Sequence, residues 1–231
     1  MTNEMENFFD SRDAASVAAA ERIARALERR LDAQGEASVV VSGGTSPAGV
    51  FAQLAGVSLA WRDVHVILSD ERWVPSDHED SNEKLVRETL LTGEAQRANL
   101  LTVYESGVTI EARCSALNDE VRQAPFPFAC ALLGMGEDGH FASLFPDAEN
   151  LGEGLDVDSS ELCIPVHTAA SPHPRVSLTL SALSRSDEIL LLLFGDRKRE
   201  VYEAAKQTAN GYPVFHLLRQ KRAPVYVYWA P

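Results

Sequence analysis

Along this chain, short runs of continuous apolar residues alternate with longer stretches whose apolar positions recur at helical spacing. Residues 11–34 predict a long amphipathic helix. Val17, Ala20, Ile23, Ala24, Leu27 and Leu31 form its stripe, Asp10 or Ser11 can cap it, and Gly35 follows as a stop. Val39-Val40-Val41 predicts a short buried strand, and Pro47 starts a helix over 47–55. Val64–Leu68 is a second strand. Residues 81–91 predict a helix with Ser81 as cap and a Glu83–Arg87 pair four apart. A helix over 109–123 leads into a strand at 128–133. Further strands are expected at 162–166, 175–180, 188–194 and 225–229, with a helix at about 197–207. The Gly- and Asp-rich stretch 147–160 reads as a surface loop.

Strands that are apolar throughout, rather than alternating, belong to a sheet covered on both faces. Their alternation with helices predicts a three-layer α/β/α architecture around a mostly parallel, Rossmann-like sheet. With 231 residues, no internal repeat and no low-complexity linker, residues 1–231 are expected to form a single domain. Apolar residues make up 45% of the chain, enough for a sizeable core, yet no apolar stretch is long enough to span a bilayer.

Charge and cysteine usage narrow the function classes. A net charge of −13 argues against nucleic-acid binding, which requires clustered Lys and Arg, but leaves room for a small anion held by a few converging donors. The acidic start MTNEMENFFDSRD lacks the basic and apolar regions of a secretory signal, and no membrane association is expected. Cys114, Cys130 and Cys163 show no CxxC spacing and read as reduced thiols of a cytoplasmic protein, Cys130 as a core residue. His78, His167, His173 and His216 show no metal-ligand spacing, and His65 reads as a structural mid-strand residue.

The candidate chemistry gathers at strand ends, where open α/β sheets bind ligands. Four predicted strands end in unusual residues: Ser42-Gly43-Gly44-Thr45-Ser46-Pro47, Ser69-Asp70-Glu71-Arg72, Gly134–His140 and Gly195-Asp196-Arg197-Lys198. The first joins a strand to a helix through glycines and hydroxyls, so its backbone N–H groups can surround an anion. It lacks the GxxxxGK[ST] pattern, and an ordinary capped turn would look the same. Arg72 near a strand end can clamp a phosphate, although DER also suits a solvated turn. Arg175 and Lys198, taken singly, read as surface charges. In Gly134-Met135-Gly136-Glu137-Asp138-Gly139-His140 a buried strand runs into a glycine-rich turn that presents an imidazole two residues after a carboxylate. Histidine is the natural proton acceptor near neutral pH, so catalysis by His140 with Asp138 as its orienting partner is favoured over a structural role.

Together, SGGTSP (42–47), SDERWVPSDHEDSN (69–82) and LLGMGEDGHFASLFP (132–146) closely resemble the motifs of 6-phosphogluconolactonases, with weaker support from PRVSLT (174–179) and GDRK (195–198). The resemblance covers nearly the whole chain in the expected order. One departure, SGGTSP where SGGSTP is commoner, keeps both hydroxyls. The resemblance implies hydrolysis of 6-phospho-D-glucono-1,5-lactone to 6-phosphogluconate in the oxidative pentose phosphate pathway, and a fold shared with glucosamine-6-phosphate deaminases and ribose-5-phosphate isomerases. It implies His140 and Asp138 as catalytic residues. The substrate, a small sugar-phosphate lactone, would meet Ser42, Gly43, Gly44, Thr45, Ser46, Asp70, Arg72, Gly136, Arg175 and Lys198. No cofactor or metal is expected, and the chain would act as a monomer or homodimer. Two alternatives stay open: a deaminase-like enzyme, or a noncatalytic sugar-phosphate-binding protein. Deaminases typically continue the GxDGH turn as DGHIAFNEP, with a further catalytic carboxylate, whereas this chain continues Phe141-Ala142-Ser143-Leu144-Phe145-Pro146.

Overall fold

A computed structural model of the protein describes residues 4–208 and 211–231. Its strands are β1 (Glu4–Phe8), β2 (Ala37–Val41), β3 (Val64–Leu68), β4 (Asp70–Arg72), β5 (Asn99–Leu100), β6 (Cys130–Leu133), β7 (Cys163–Val166), β8 (Arg175–Leu178), β9 (Ile189–Phe194) and β10 (Val225–Ala230). Its α-helices are α1 (Arg12–Gln34), α2 (Ala48–Ala55), α3 (Asn82–Thr89), α4 (Ile110–Gln123), α5 (Leu151–Leu155), α6 (Leu180–Leu183), α7 (Asp196–Gln207) and α8 (Val214–Arg219).

Seven strands form one sheet in the order β1-β10-β9-β6-β2-β3-β5, and every pairing in it is parallel. The expected three-layer α/β/α architecture is therefore observed, with helices covering a central sheet whose inner strands β2, β6 and β9 are buried almost throughout. A smaller antiparallel sheet, β4-β8-β7, stands apart from it. The chain steps outward from β2 to β3 and β5, then returns to β6 on the other side of β2 and steps outward through β9 to β10. The order thus reverses between β2 and β6, which opens a crevice at their carboxyl ends.

Local signals set most boundaries as expected. The Ser11 side chain accepts from Ala14 N at 3.2 Å, and Gly35 closes α1 at φ 79°. Ser81 caps α3 by accepting from Lys84 N at 3.2 Å, and Arg87 Nε donates to Glu83 Oε1 at 2.9 Å. Cys130 is fully buried, and Cys114 and Cys163 are buried free thiols.

Three expectations need correction, and two further elements lie where none was stated. Val17, placed in the apolar stripe of α1, is 40% exposed, and Ala15 and Ala19 are buried in its stead, while Ala20, Ile23, Ala24 and Leu27 are buried as expected. The 147–160 stretch is not wholly a loop, since it contains α5; a Cβ on Gly154 would lie 2.5 Å from Leu144 Cδ2, so that glycine serves packing. The strand expected over 175–180 stops at Leu178, because Thr179 turns to cap α6, its side chain accepting from Ala182 N. β1 arises from the acidic N-terminal stretch, whose residues 1–3 lie outside the described residues. α8 was also not expected. Among the described residues, no helix is long and apolar enough to cross a membrane.

Candidate active site

A cavity of about 380 Å³ opens at the crevice where the strand order reverses. The loop after β2 and the turn after β6 form its two sides. All ten residues expected to bind substrate line it, from Ser42 through Lys198, and so does His140. The fold brings them together because the carboxyl ends of parallel strands share one edge, and because β4 and β8 carry two arginines to the same place.

The turn after β6 holds the reactive pair. Gly139 adopts φ 79°, a left-handed conformation that side chains resist, and this folds the turn back on itself. Gly136 N donates to His140 O at 2.9 Å, and Gly139 N to Gly136 O at 3.1 Å. His140 Nδ1 then sits 2.6 Å from Asp138 Oδ1, which also accepts the His140 N–H at 3.1 Å. Burial alone would raise the Asp138 carboxyl, but the hydrogen bond and charge of the imidazole outweigh it and hold it below its ordinary value. Asp138 is thus an acceptor, so the neutral imidazole carries its proton on Nδ1 and a lone pair on Nε2. Phe145 packs against the ring, with centroids 4.1 Å apart. Nε2 has no hydrogen-bond partner among the described residues.

Gly136 lines the cavity, and it also makes room for the pair. A Cβ there would lie 2.3 Å from both Cε1 and Nδ1 of His140.

Facing this turn, Ser42–Ser46 leads from β2 into α2, with Gly44 at φ 84°. The backbone N–H groups of Gly43, Gly44, Thr45 and Ser46 have no acceptor among the described residues. They are free donors beside the start of a helix, an arrangement suited to an anion. Asn82 fits against Gly43 so closely that a Cβ there would meet its Oδ1 at 1.8 Å, while its Nδ2 donates to Asp70 O at 2.8 Å.

Cations close the cavity. Arg72 and Arg175 are paired residues on the β4–β8 ladder. Arg72 Nη1 donates to the Asp80 carbonyl, and its Nε is buried without a hydrogen-bond partner. Arg175 Nε donates to Ser171 Oγ at 2.9 Å, and its Nη1 lies 3.6 Å from Asp70 Oδ2. Burial pulls the Arg175 guanidinium below its ordinary value, the Asp70 charge pushes it back up, and Arg72 lowers it again. Burial likewise pulls the Lys198 ammonium down, against Glu137, which raises it. Neither Arg175 nor Lys198 is the surface charge that each resembled when taken singly.

Asp70 is in the cavity wall, but both its oxygens are engaged. Ser69 Oγ donates to one at 2.8 Å and Ser143 Oγ to the other at 2.6 Å. The DER segment is not a solvated turn: Glu71 is 1% exposed and accepts from the N–H groups of Arg72, Asn82 and Glu83 and from Ser81 Oγ. Its carboxylate ties β4 to the start of α3. Burial pushes that carboxyl up even against these four donors.

Sequence reasoning missed Asn82, Ala142 and Phe145 as cavity residues. The signal was present in the same blocks, since Asn82 ends SDERWVPSDHEDSN and the other two follow His140. It also found no metal-ligand set, whereas the fold brings His78, Asp80 and His173 together, with ligand atoms within 4.8 Å of one another. Linear spacing could not show this, because His173 joins from a distant segment.

Comparison with known proteins bears on this site. The family model described as glucosamine-6-phosphate isomerases/6-phosphogluconolactonase matches residues 10–228. The chain is 38% identical to a 6-phosphogluconolactonase of Mesorhizobium japonicum over 97% of its own length and 94% of that relative. It is 40% identical to a 6-phosphogluconolactonase of Caulobacter vibrioides, over 96% of this chain and 95% of the other. The crystal structure of a 6-phosphogluconolactonase from Shewanella baltica matches with a TM-score of 0.94 at 36% identity, covering 99% of this chain and 98% of that one.

Proposed function

The chain belongs to the family of glucosamine-6-phosphate isomerases and 6-phosphogluconolactonases, and from that premise we propose that it hydrolyses 6-phospho-D-glucono-1,5-lactone to 6-phospho-D-gluconate, as a cytoplasmic enzyme of the oxidative pentose phosphate pathway. The observation that carries the reading is the 2.6 Å contact between His140 Nδ1 and Asp138 Oδ1, with His140 lining a cavity that three cations and the Ser42–Ser46 loop also line.

The lactone carbonyl is electrophilic enough for water to attack without a covalent enzyme intermediate. His140 Nε2 takes a proton from that water as its oxygen bonds to C1. Asp138 keeps the other imidazole proton on Nδ1 and stabilises the imidazolium that forms. When the bond between C1 and the ring oxygen breaks, the imidazolium returns the proton to that oxygen. The open-chain hydroxy acid results, and His140 is restored.

The phosphate would accept from the free N–H groups of Gly43–Ser46 and from Arg72, Arg175 and Lys198. Arg72 Nε is buried without a partner, so the guanidinium would have to turn toward the cavity to offer that donor to the phosphate. Asp70 would act by holding Arg175 and Ser143 in place. Deamination of an amino-sugar phosphate is disfavoured, because no carboxylate stands between Phe141 and Pro146.

Purified protein should hydrolyse the lactone above the spontaneous rate and release no ammonia from glucosamine 6-phosphate. His140→Ala should lower kcat by about 10²–10⁴-fold while changing KM little. Ammonia release, or a His140→Ala enzyme with near-normal kcat, would overturn the proposal.

A further inference from the structure

Behind the wall that carries Arg72 and Arg175, three side chains from two loops meet. His78 and Asp80 follow β4, and His173 precedes β8. Asp80 Oδ2 lies 3.1 Å from His173 Nε2 and 3.8 Å from His78 Nδ1. The two imidazoles stand nearly perpendicular, at 80° with centroids 5.5 Å apart, and each has a nitrogen within 4 Å of the same carboxylate oxygen. Donors held about 2.0–2.1 Å from a tetrahedral zinc ion are separated from each other by about 3.3 Å. The two separations from Asp80 bracket that value and all three donors lie within 4.8 Å of one another, so a cation could be seated with rotations of the side chains.

The chemistry of the donors points the same way. Two neutral imidazoles and one carboxylate form a set preferred by zinc-class cations over magnesium or calcium, which select oxygen. Three protein ligands leave a further position for water. At His78 Nδ1 the cation would replace the Asp80 N–H, which now donates there at 3.1 Å. The side chains of His78, Asp80 and His173 are 38%, 47% and 28% exposed, so an ion can enter from solvent.

We propose that His78, Asp80 and His173 form a binding site for a divalent transition-metal cation of the zinc class, which clamps the loop after β4 to the loop before β8. The clamp would consolidate the cationic wall without taking part in proton transfer. Its connections to that wall are direct. The Asp80 carbonyl accepts from Arg72 Nη1, and Ser171, whose hydroxyl donates to His173 O at 2.9 Å, accepts from Arg175 Nε.

The test is titration of chelator-stripped full-length protein with Zn²⁺ by calorimetry, with Co²⁺ visible absorption reporting the ligand set. The wild-type protein should bind about one equivalent with sub-millimolar affinity, and bound Zn²⁺ should raise Tm by mass action. His173→Ala and His78→Ala should each weaken binding by roughly tenfold or more, and the Zn²⁺-dependent rise in Tm should disappear. Asp80→Asn, which preserves side-chain size, supplies a further variant should a histidine replacement fail to fold in chelator. His140→Ala should leave binding unchanged, which separates this site from the imidazole in the cavity. Absence of binding would overturn the proposal. So would binding that survives the three substitutions, or binding that is lost in His140→Ala.

Discussion

Replacing Gly136 with alanine should disable the site while leaving the fold intact. The backbone permits the change, because Gly136 is not among the residues at positive φ. The obstacle is its neighbours. The new Cβ would lie 2.3 Å from Cε1 and Nδ1 of His140 and 2.6 Å from Asp138 Oδ1, whereas ordinary contact begins at 3.4 Å. The imidazole must retreat by about 1 Å, and the 2.6 Å bond to Asp138 cannot survive that retreat unchanged. A misplacement of this size costs about 10²-fold in rate, equivalent to about 2.7 kcal/mol of barrier. The loss should fall on kcat, since the cations and the Ser42–Ser46 loop belong to other elements. Gly134→Ala is the comparison, because nothing lies within 4 Å of its added Cβ, and the pair should stay in register. Initial rates of lactone hydrolysis, corrected for spontaneous opening, would be measured for both variants beside thermal melts. A Gly136→Ala enzyme with kcat within about threefold of wild type would refute the reasoning. So would equal losses in the two variants.

Arg72→Ala should shrink the preference for the phosphorylated lactone over gluconolactone by about 10–150-fold, as expected for one charge-assisted hydrogen bond of roughly 1.5–3 kcal/mol; equal loss of kcat/KM for both lactones would show that Arg72 does not read the phosphate. Arg72→Lys should restore that preference only in part, since an ammonium cannot reproduce a guanidinium fork. The depressed Asp138 carboxyl stabilises the fold at pH above its unfolded-state value, about 3.9, and this contribution is lost as pH falls through the lower folded-state value. Melting curves should therefore show a constant gap between wild type and Asp138→Asn near neutrality that closes in acid; a gap unchanged down to pH 2, or one that widens in acid, would contradict the assignment. Burial pushes the Cys114 thiol up to about 12 and also raises Cys130 and Cys163. Native protein should resist thiol alkylation at pH 8 and react fully once unfolded, whereas rapid native labelling would show that the core opens readily.

Much of this molecule was legible before it was folded. Continuous apolar runs marked the buried strands, helical periodicity marked α1 and α4, and caps such as Ser11 and Ser81 marked helix starts, because each of these signals is local. The His140–Asp138 pair was legible for the same reason, since two residues in one glycine-bent turn meet through backbone geometry alone. β1, α5 and α8 escaped notice because they are short or polar, and such elements draw their stability from what they pack against. β1 exists by pairing with β10, and its Glu6 accepts from Tyr202 at 2.8 Å and Lys206 at 2.6 Å.

Only the tertiary structure decided that Arg72 stands opposite Arg175, that Asp70 serves Ser143 and Arg175, and that His173 joins His78 and Asp80. Strand order and register set those meetings, and neither is encoded in local periodicity. They are fixed when the chain buries its apolar faces together, and residues far apart in sequence become neighbours as a consequence.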